Sequence, residues 1–303
     1  IDTNAANLRI TTYDTATGAD SAAARAISDG NKLILGPLLG DDVRAVAAKA
    51  RPAISPPISF SNDRSVAARD VFVLGVLPEE SIDRTVGYAI SKGSKRFAAI
   101  VPNGDYGRHA QAALATRVAA GGGVLVATET YDRGNTSVIS AAERLRAKGG
   151  FDTVLIADGA RLSAIAAGAL KTAGATQPRL LGTELWGGEE GVAKATALRG
   201  SWFSTVSDAR YGRFASSYKS RFGMQPYRIA TLGYDAVLLT LRIARDWTPG
   251  RDFPTSHMFD DVGFLGIDGA FRFRPSGVAE RAMEVRQVGN GTVTVVSPAP
   301  TQF

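Results

Sequence analysis

The sequence contains no cysteine and only two histidines, His109 and His257. Without cysteine there are no disulfide bonds, no thiolate catalysis and no cysteine-based zinc sites. The two histidines stand far apart and form no HExxH pattern, so they lack the spacing of a zinc site. No run of 18 apolar residues occurs, and the sequence therefore predicts no membrane-spanning helix.

Common catalytic motifs are also missing. The chain has no GxSxG elbow, no GxxxxGK[ST] phosphate loop and no GxGxxG fingerprint. The glycine run at 121–123 follows a predicted helix and precedes a predicted strand, which is typical of a helix C-cap rather than a phosphate loop. We therefore predict a protein that is not an enzyme and that needs no cofactor and no metal.

Positive charge is in excess but is not clustered. The formal net charge is +6, and 27 of the 35 basic residues are arginine. They are scattered singly, without a run of five, so we interpret them as solvated surface and predict no nucleic-acid partner. At 303 residues with 45% hydrophobic content, the chain is long enough for two lobes.

A short apolar run, a polar loop and an amphipathic helical stretch recur along the chain. The runs 32–37, 97–102 and 153–157 each lead into such a stretch. This alternation predicts βαβ units and parallel sheets covered on both faces. We also predict a strand at 8–13 and an antiparallel finish after residue 269.

Ligands of parallel α/β sheets bind at the carboxyl ends of the strands. Five loops should lie at such ends: 37–40, 59–62, 103–107, 157–161 and 183–186. They carry hydroxyl groups, amides at helix starts, one tyrosine, one tryptophan and few charges. This composition favours recognition of a small zwitterionic or polar ligand over bond cleavage.

Several segments resemble a known family. They are VLGVLPEE at 73–80, DYG at 105–107, LLGT at 180–183, GYDA at 233–236 and GIDGAFRFRPSG at 266–277. In this order they resemble the type I periplasmic-binding-protein superfamily, and within it the leucine/isoleucine/valine-binding branch. The resemblance covers essentially the whole chain.

The resemblance implies an α/β fold of two Rossmann-like lobes with parallel sheets, joined by three hinge crossings that let the lobes close over a ligand. Lobe one would comprise 1–76 plus 205–267, and lobe two 77–204 plus 268–303. In this family a first strand and helix precede the segment matching 7–14. We therefore expect lobe one to lack them here, with about 40 further residues preceding this sequence.

Seven residues are predicted to bind the ligand. Three in lobe one should contact its acidic end: Ser59, Ser61 and Asn62. Four in lobe two should contact its amine or polar end, or line the wall: Tyr106, Asp158 and Glu184, with Trp186 as the wall. Glu184 lies where the resemblance places the ammonium-binding acid.

Two positions depart from the family pattern. The serine that follows its Gly-Pro turn falls near Leu39 or Gly40, neither of which has a hydroxyl. Its ligand-packing tyrosine falls at Asp158 or Gly159, where no aromatic residue stands. The acid for the ammonium is thus kept, while the surroundings of the carboxylate are altered.

We therefore predict a periplasmic solute-binding protein of an ABC transporter, exported, monomeric and free of cofactors. It would bind an amino acid or a related compound and deliver it to an ABC permease. A lipid anchor on a segment that precedes this sequence would be compatible with this role. Two alternatives stay open. Residues 60–67 and 71–78 also resemble penicillin-binding-protein activator lipoproteins, which regulate a peptidoglycan synthase through protein contacts. The other alternative is a cytosolic α/β enzyme, although no motif reveals the nucleophile and base that it would need.

Overall fold

The computed structural model describes residues 8–134, 137–171, 177–248 and 250–300. The α-helices in this part are α1 (Ala19–Ser28), α2 (Gly40–Ala50), α3 (Pro78–Ser91), α4 (Asp105–Ala120), α5 (Ser137–Lys148), α6 (Ala160–Leu170), α7 (Glu190–Lys194), α8 (Tyr211–Phe222) and α9 (Ala230–Ile243). None of these helices is long and apolar enough to cross a membrane.

The β-strands in the same ranges are mostly short. They are β1 (Ile34–Leu35), β2 (Pro57–Ser59), β3 (Phe72–Val73), β4 (Arg96–Pro102), β5 (Val124–Tyr131), β6 (Thr153–Ile156), β7 (Arg179–Leu181), β8 (Trp202–Thr205), β9 (Phe264–Gly266), β10 (Gly269–Phe273), β11 (Ala279–Arg281), β12 (Glu284–Val288) and β13 (Val293–Ser297).

The chain forms two compact units. Among the described residues, unit 1 contains those up to Leu77 and those from Ser207 to Ala282. Unit 2 contains Pro78–Val206 and the residues from Met283 to Pro300. The predicted α/β class with parallel sheets is confirmed, since both units combine helices with parallel strand pairing.

Unit 1 holds a parallel sheet in the order β1-β2-β3 and an antiparallel sheet in the order β11-β10-β9. Val43 and Ala47 of α2 pack in one apolar cluster with Val73 of β3. Phe72, the neighbour of Val73, packs in a second cluster with Leu239 of α9. Successive strand residues point to opposite faces, so both faces of this parallel sheet are covered.

Unit 2 is built on a seven-stranded sheet in the order β13-β12-β8-β7-β6-β4-β5. Strands β5, β4, β6, β7 and β8 are parallel, and β12 and β13 join antiparallel at one edge. Along β4, Ala98 and Ile100 face the cluster that contains α5 and α6. Phe97 and Ala99 face the cluster that contains α3 and α4.

The third passage of the chain between the units differs from the prediction. We predicted this passage near residue 267, whereas the chain passes from unit 1 to unit 2 between Ala282 and Met283. The reason is strand pairing, because β10 turns back onto β9 with Gly269 opposite Gly266. Phe273 of β10 then packs against Phe72 in unit 1, with ring centroids 5.3 Å apart. Residues 268–282 therefore belong to unit 1.

The predicted strand at 8–13 is a further correction. These residues have no regular secondary structure, and no described strand pairs with them. All six residues instead line a cavity of about 330 Å³, together with β1 and part of α9. A strand needs a neighbour that accepts its backbone hydrogen bonds, and alternation alone does not supply one.

Gly107 sets how closely α4 approaches the end of β4. A Cβ atom at this position would lie 1.7 Å from the carbonyl oxygen of Pro102. That oxygen belongs to the backbone and cannot swing aside, so a larger residue must displace the start of α4.

We expect Gly107→Ala to destabilise the protein by about 1–3 kcal/mol, as overpacking does in a tight site. Gly168→Ala is the matched control, since an added Cβ at this position in the last turn of α6 meets nothing within 4 Å. The control should be neutral or gain up to about 1 kcal/mol from helix propensity. Urea unfolding followed by circular dichroism measures both, and equal midpoints for the two variants would contradict the close approach.

Candidate functional site

The carboxyl ends of four neighbouring parallel strands bring polar side chains together in unit 2. Tyr106 follows β4 in the first turn of α4, and Arg133 follows β5. Asp158 follows β6, and Glu184 follows β7. Because parallel strands end at the same edge of a sheet, these residues share one edge, which is the usual ligand-binding edge of an α/β sheet.

Glu184 is held by Tyr106. The Tyr106 hydroxyl donates to Glu184 Oε1 at 3.0 Å and lies 2.8 Å from Thr183 Oγ1. A hydroxyl group has one proton to donate, and that of Tyr106 is directed at Glu184. The Tyr106 oxygen therefore accepts a hydrogen bond from the Thr183 hydroxyl. The second carboxylate oxygen, Glu184 Oε2, is buried and has no hydrogen-bond partner among the described residues. Half of this carboxylate is therefore unsatisfied.

Burial dominates the ionisation of this group. It raises the pKa of Glu184 from 4.5 to about 7, against the opposing effect of the Tyr106 hydrogen bond. The nearby carboxylate of Glu79 raises the pKa of Glu184 further by like-charge repulsion. Glu79 Oε2 is likewise buried without a partner among the described residues, and its Oε1 lies 3.7 Å from His109 Nδ1. Two buried carboxylate oxygens of this site therefore lack a hydrogen-bond partner among the described residues.

Trp186 is a core residue and not the wall residue that we predicted. It is 1% exposed, and its ring packs against Phe203 with centroids 5.5 Å apart. Its indole N–H donates to the Asp158 carbonyl at 2.9 Å. A Cβ at Gly182 would lie 2.3 Å from the ring. Burying so large an apolar ring is favourable. Trp186 therefore anchors the short turn that carries Glu184.

The carboxylate of Asp158 is engaged by its own neighbours. Oδ2 accepts from the Tyr131 hydroxyl and, at 2.7 Å, from Arg133 Nε, while Oδ1 accepts from the backbone N–H of Gly159 at 2.8 Å. Burial, and then the hydrogen bond to Asp158, raise the pKa of Tyr131. Asp158 thus lies at the predicted edge of the sheet, but its carboxylate forms an ion pair with Arg133.

Arg133 is a residue that our sequence reasoning missed. Its guanidinium lies over the ring of Tyr106, with Cζ 5.4 Å from the centroid, and its side chain is 46% exposed. The signal was available, since Arg133 follows the end of β5 as Asp158 follows β6. We did not count the loop after β5 among the strand-end loops.

The three residues predicted in unit 1 lie at the carboxyl end of β2, where Ser59 is the last strand residue and Ser61 and Asn62 follow it. Ser59 is buried, donates to the Pro37 carbonyl at 3.0 Å and accepts from the backbone N–H of Ser61 at 3.0 Å. Ser61 is also buried and accepts from the N–H of Asp63 at 3.1 Å. Asn62, between them, is exposed. Two of the three side chains therefore organise the loop itself.

A family model described as "Periplasmic binding protein" matches residues 6–292. The chain belongs to the periplasmic binding protein family. This confirms the resemblance derived from the motifs, and the two-unit α/β architecture is the type I fold of these proteins. A search of curated protein sequences gives no significant match.

Three solved structures illustrate the likeness of this periplasmic binding protein to others. A Rhodospirillum rubrum protein, provisionally assigned as a branched-chain amino acid ABC transporter, is 21% identical, with 97% of this chain and 90% of that chain covered and a TM-score of 0.83. A leucine-binding protein from Thermotoga maritima is 20% identical, with 93% of this chain and 84% of that chain covered and a TM-score of 0.71. A benzoate-bound solute-binding protein from R. palustris is 19% identical, with 94% of this chain and 83% of that chain covered and a TM-score of 0.70.

The raised pKa of Glu184 makes a prediction about stability. Between pH 4.5 and 7 the folded protein keeps a proton on Glu184 that the unfolded chain releases, so stability should fall as pH rises through this window. The full effect is on the order of 3 kcal/mol. We expect the melting temperature of the wild type, measured relative to Glu184→Gln, to decrease from pH 5 to pH 8.

The exposed carboxyl group on α5 provides the control for that measurement. Glu143→Gln removes one acid from the surface of the same unit. Its melting temperature should follow the wild type across the pH range. A pH trend that survives unchanged in Glu184→Gln would show that another group causes it.

Proposed function

We propose that this protein is the solute-binding component of an ABC transporter and that Glu184 receives the ammonium group of a small amino acid or a related compound. The observation that carries the proposal is the buried carboxylate with one oxygen, Oε2, unpaired among the described residues. A buried charge without a partner is strongly unfavourable, and a ligand cation would relieve that cost.

The surroundings of Glu184 support a cation as the occupant. Glu79 adds a second buried carboxylate oxygen without a described partner, and Tyr106 orients Glu184 Oε1. An ammonium group brings three donors, which suits unpaired carboxylate oxygens. The relative from T. maritima is named as a leucine-binding protein, and leucine is an amino acid with an ammonium group.

The remaining parts of the proposal come from the family. Delivery to an ABC permease requires export to the periplasm, and we propose both. The closing of two lobes over the ligand, the monomeric state, the lipid anchor and the absence of catalysis stay predictions from the sequence. Of the seven predicted site residues, Tyr106 and Glu184 are the ones we propose to be nearest the ligand's ammonium.

The first experiment is a thermal-shift panel of amino acids, small carboxylates and cell-wall fragments at millimolar concentration. A ligand present at 100 times its dissociation constant adds about 2.7 kcal/mol of stability. We expect at least one amino acid to raise the melting temperature by several degrees. A panel without any stabilising amino acid, on protein stripped of carried-over ligand, would instead favour the peptidoglycan-synthase regulator.

Glu184→Gln tests the ammonium receptor directly. Removing a buried charge partner costs about 2–5 kcal/mol, so the affinity for the stabilising amino acid should fall by roughly 30-fold to several thousand-fold. Isothermal titration calorimetry measures the change, with Glu143→Gln as the surface control. Unchanged affinity in Glu184→Gln would remove Glu184 from the proposed site.

The affinity should also depend on pH in a defined direction. An ammonium group binds the ionised form of Glu184, whose pKa is about 7 in the free protein. Below pH 7 the proton must leave first, so affinity should fall by up to about tenfold per pH unit between pH 7 and 5. Titrations at several pH values should show this slope for the wild type and a flat profile for Glu184→Gln.

A further inference from the structure

The hydroxyl groups predicted to receive the ligand's carboxylate are poorly placed for that task. Ser59 donates its proton to the Pro37 carbonyl, and both Ser59 and Ser61 are almost completely buried. Neither residue carries a charge, and the position near Leu39 and Gly40 adds no hydroxyl. A buried carboxylate left without a cationic or strongly donating partner would lose much of the binding free energy.

Unit 2 offers a cation at its ligand-binding edge instead. Arg133 donates only from Nε within the described part of the chain, to Asp158 Oδ2 at 2.7 Å. No described residue accepts a hydrogen bond from its two terminal nitrogens, and the side chain is 46% exposed. A planar guanidinium presents its donors in a fork that fits a carboxylate.

The guanidinium is also held in place. Asp158 fixes its Nε edge, and Asp158 is itself fixed by the Tyr131 hydroxyl and by the backbone N–H of Gly159. The ring of Tyr106 lies under the guanidinium at 5.4 Å from Cζ. An arginine held on two sides in this way loses little conformational entropy when an anion arrives.

Opposite charges therefore flank one aromatic ring. The face of Tyr106 carries Arg133, and the hydroxyl of Tyr106 holds Glu184. A molecule lying across Tyr106 would meet a positive group on one side and an unpaired negative oxygen on the other. This is the charge pattern of a zwitterion with its carboxylate towards Arg133 and its ammonium towards Glu184.

We propose that Arg133 is the receptor for the ligand's carboxylate, so that unit 2 alone binds both charges of a zwitterionic amino acid. The inference rests on the proposed function and extends it to the other end of the ligand. Asp158 is then a positioning residue that acts through Arg133 and does not contact the ammonium. The binding of benzoate by one relative shows that an anion without an ammonium group can be a ligand of this fold.

The test compares ligands that differ only in the carboxylate. The probes are leucine with 3-methylbutylamine and glutamate with 4-aminobutyrate, each pair differing by one α-carboxylate. Titration calorimetry gives the affinities for the wild type and for Arg133→Gln. We expect the affinity of Arg133→Gln for the α-amino acid to be about tenfold to hundredfold lower than that of the wild type, because a charged hydrogen-bond partner is lost. The affinity of Arg133→Gln for the matching probe without the α-carboxylate should stay unchanged or rise.

Two further variants separate the binding role from structural effects. Arg199→Gln removes the same charge from an exposed arginine shortly before β8, at the opposite end of the parallel strands, and should bind like the wild type. Arg133→Lys keeps the positive charge without the fork and should recover part of the affinity. Melting temperatures confirm that each variant is folded.

The outcomes separate this inference from the proposed function. If the wild type binds an α-amino acid and Arg133→Gln binds it equally well, the role of Arg133 is refuted and the solute-binding function stands. An equal loss for both members of a probe pair would also refute it, because the carboxylate would not be what Arg133 reads. If the wild type binds none of the probes and no other amino acid, both proposals fail.

Discussion

The burial of both faces of the parallel sheet is the constraint on which unit 2 depends. Ala98 and Ile100 face one helical layer while Phe97 and Ala99 face the other, so β4 has no polar face to give to solvent. Parallel strands buried on two faces need helical crossovers. Every crossover returns the chain to the same end, and the loops after β4, β5, β6 and β7 consequently share one edge.

The chemistry at that edge is arranged in pairs of a charged group and a tyrosine. Tyr106 donates to Glu184, and Tyr131 donates to Asp158. The two acids nevertheless differ in role. Asp158 also accepts from Arg133 and is satisfied, whereas Glu184 keeps one buried oxygen without a described partner. The proposed ammonium contact is therefore at Glu184, because a ligand cation there removes the cost of an unpaired buried oxygen.

Much of this edge could be predicted from the sequence. The apolar runs before Tyr106, Asp158 and Glu184 mark strand ends, and the structure places all three residues at one sheet edge. Trp186 shows where this reasoning stops. From the sequence, the tryptophan in the turn after β7 could point to solvent or to the core. It lies in the core because Gly182 has no side chain to block the ring and Phe203 packs against it.

The sequence by itself determined the α/β class, the family and the place of Glu184 at a strand end, since apolar periodicity and motif order are local properties of the chain. The tertiary structure alone decided the rest. Pairing of β10 with β9 assigned residues 268–282 to unit 1, and no strand in the described part of the chain pairs with residues 8–13. The contact of Arg133 with Asp158 and Tyr106 brings together the segments that follow three different strands. Hydrogen-bond partners distant in sequence are set by packing, which no local pattern encodes.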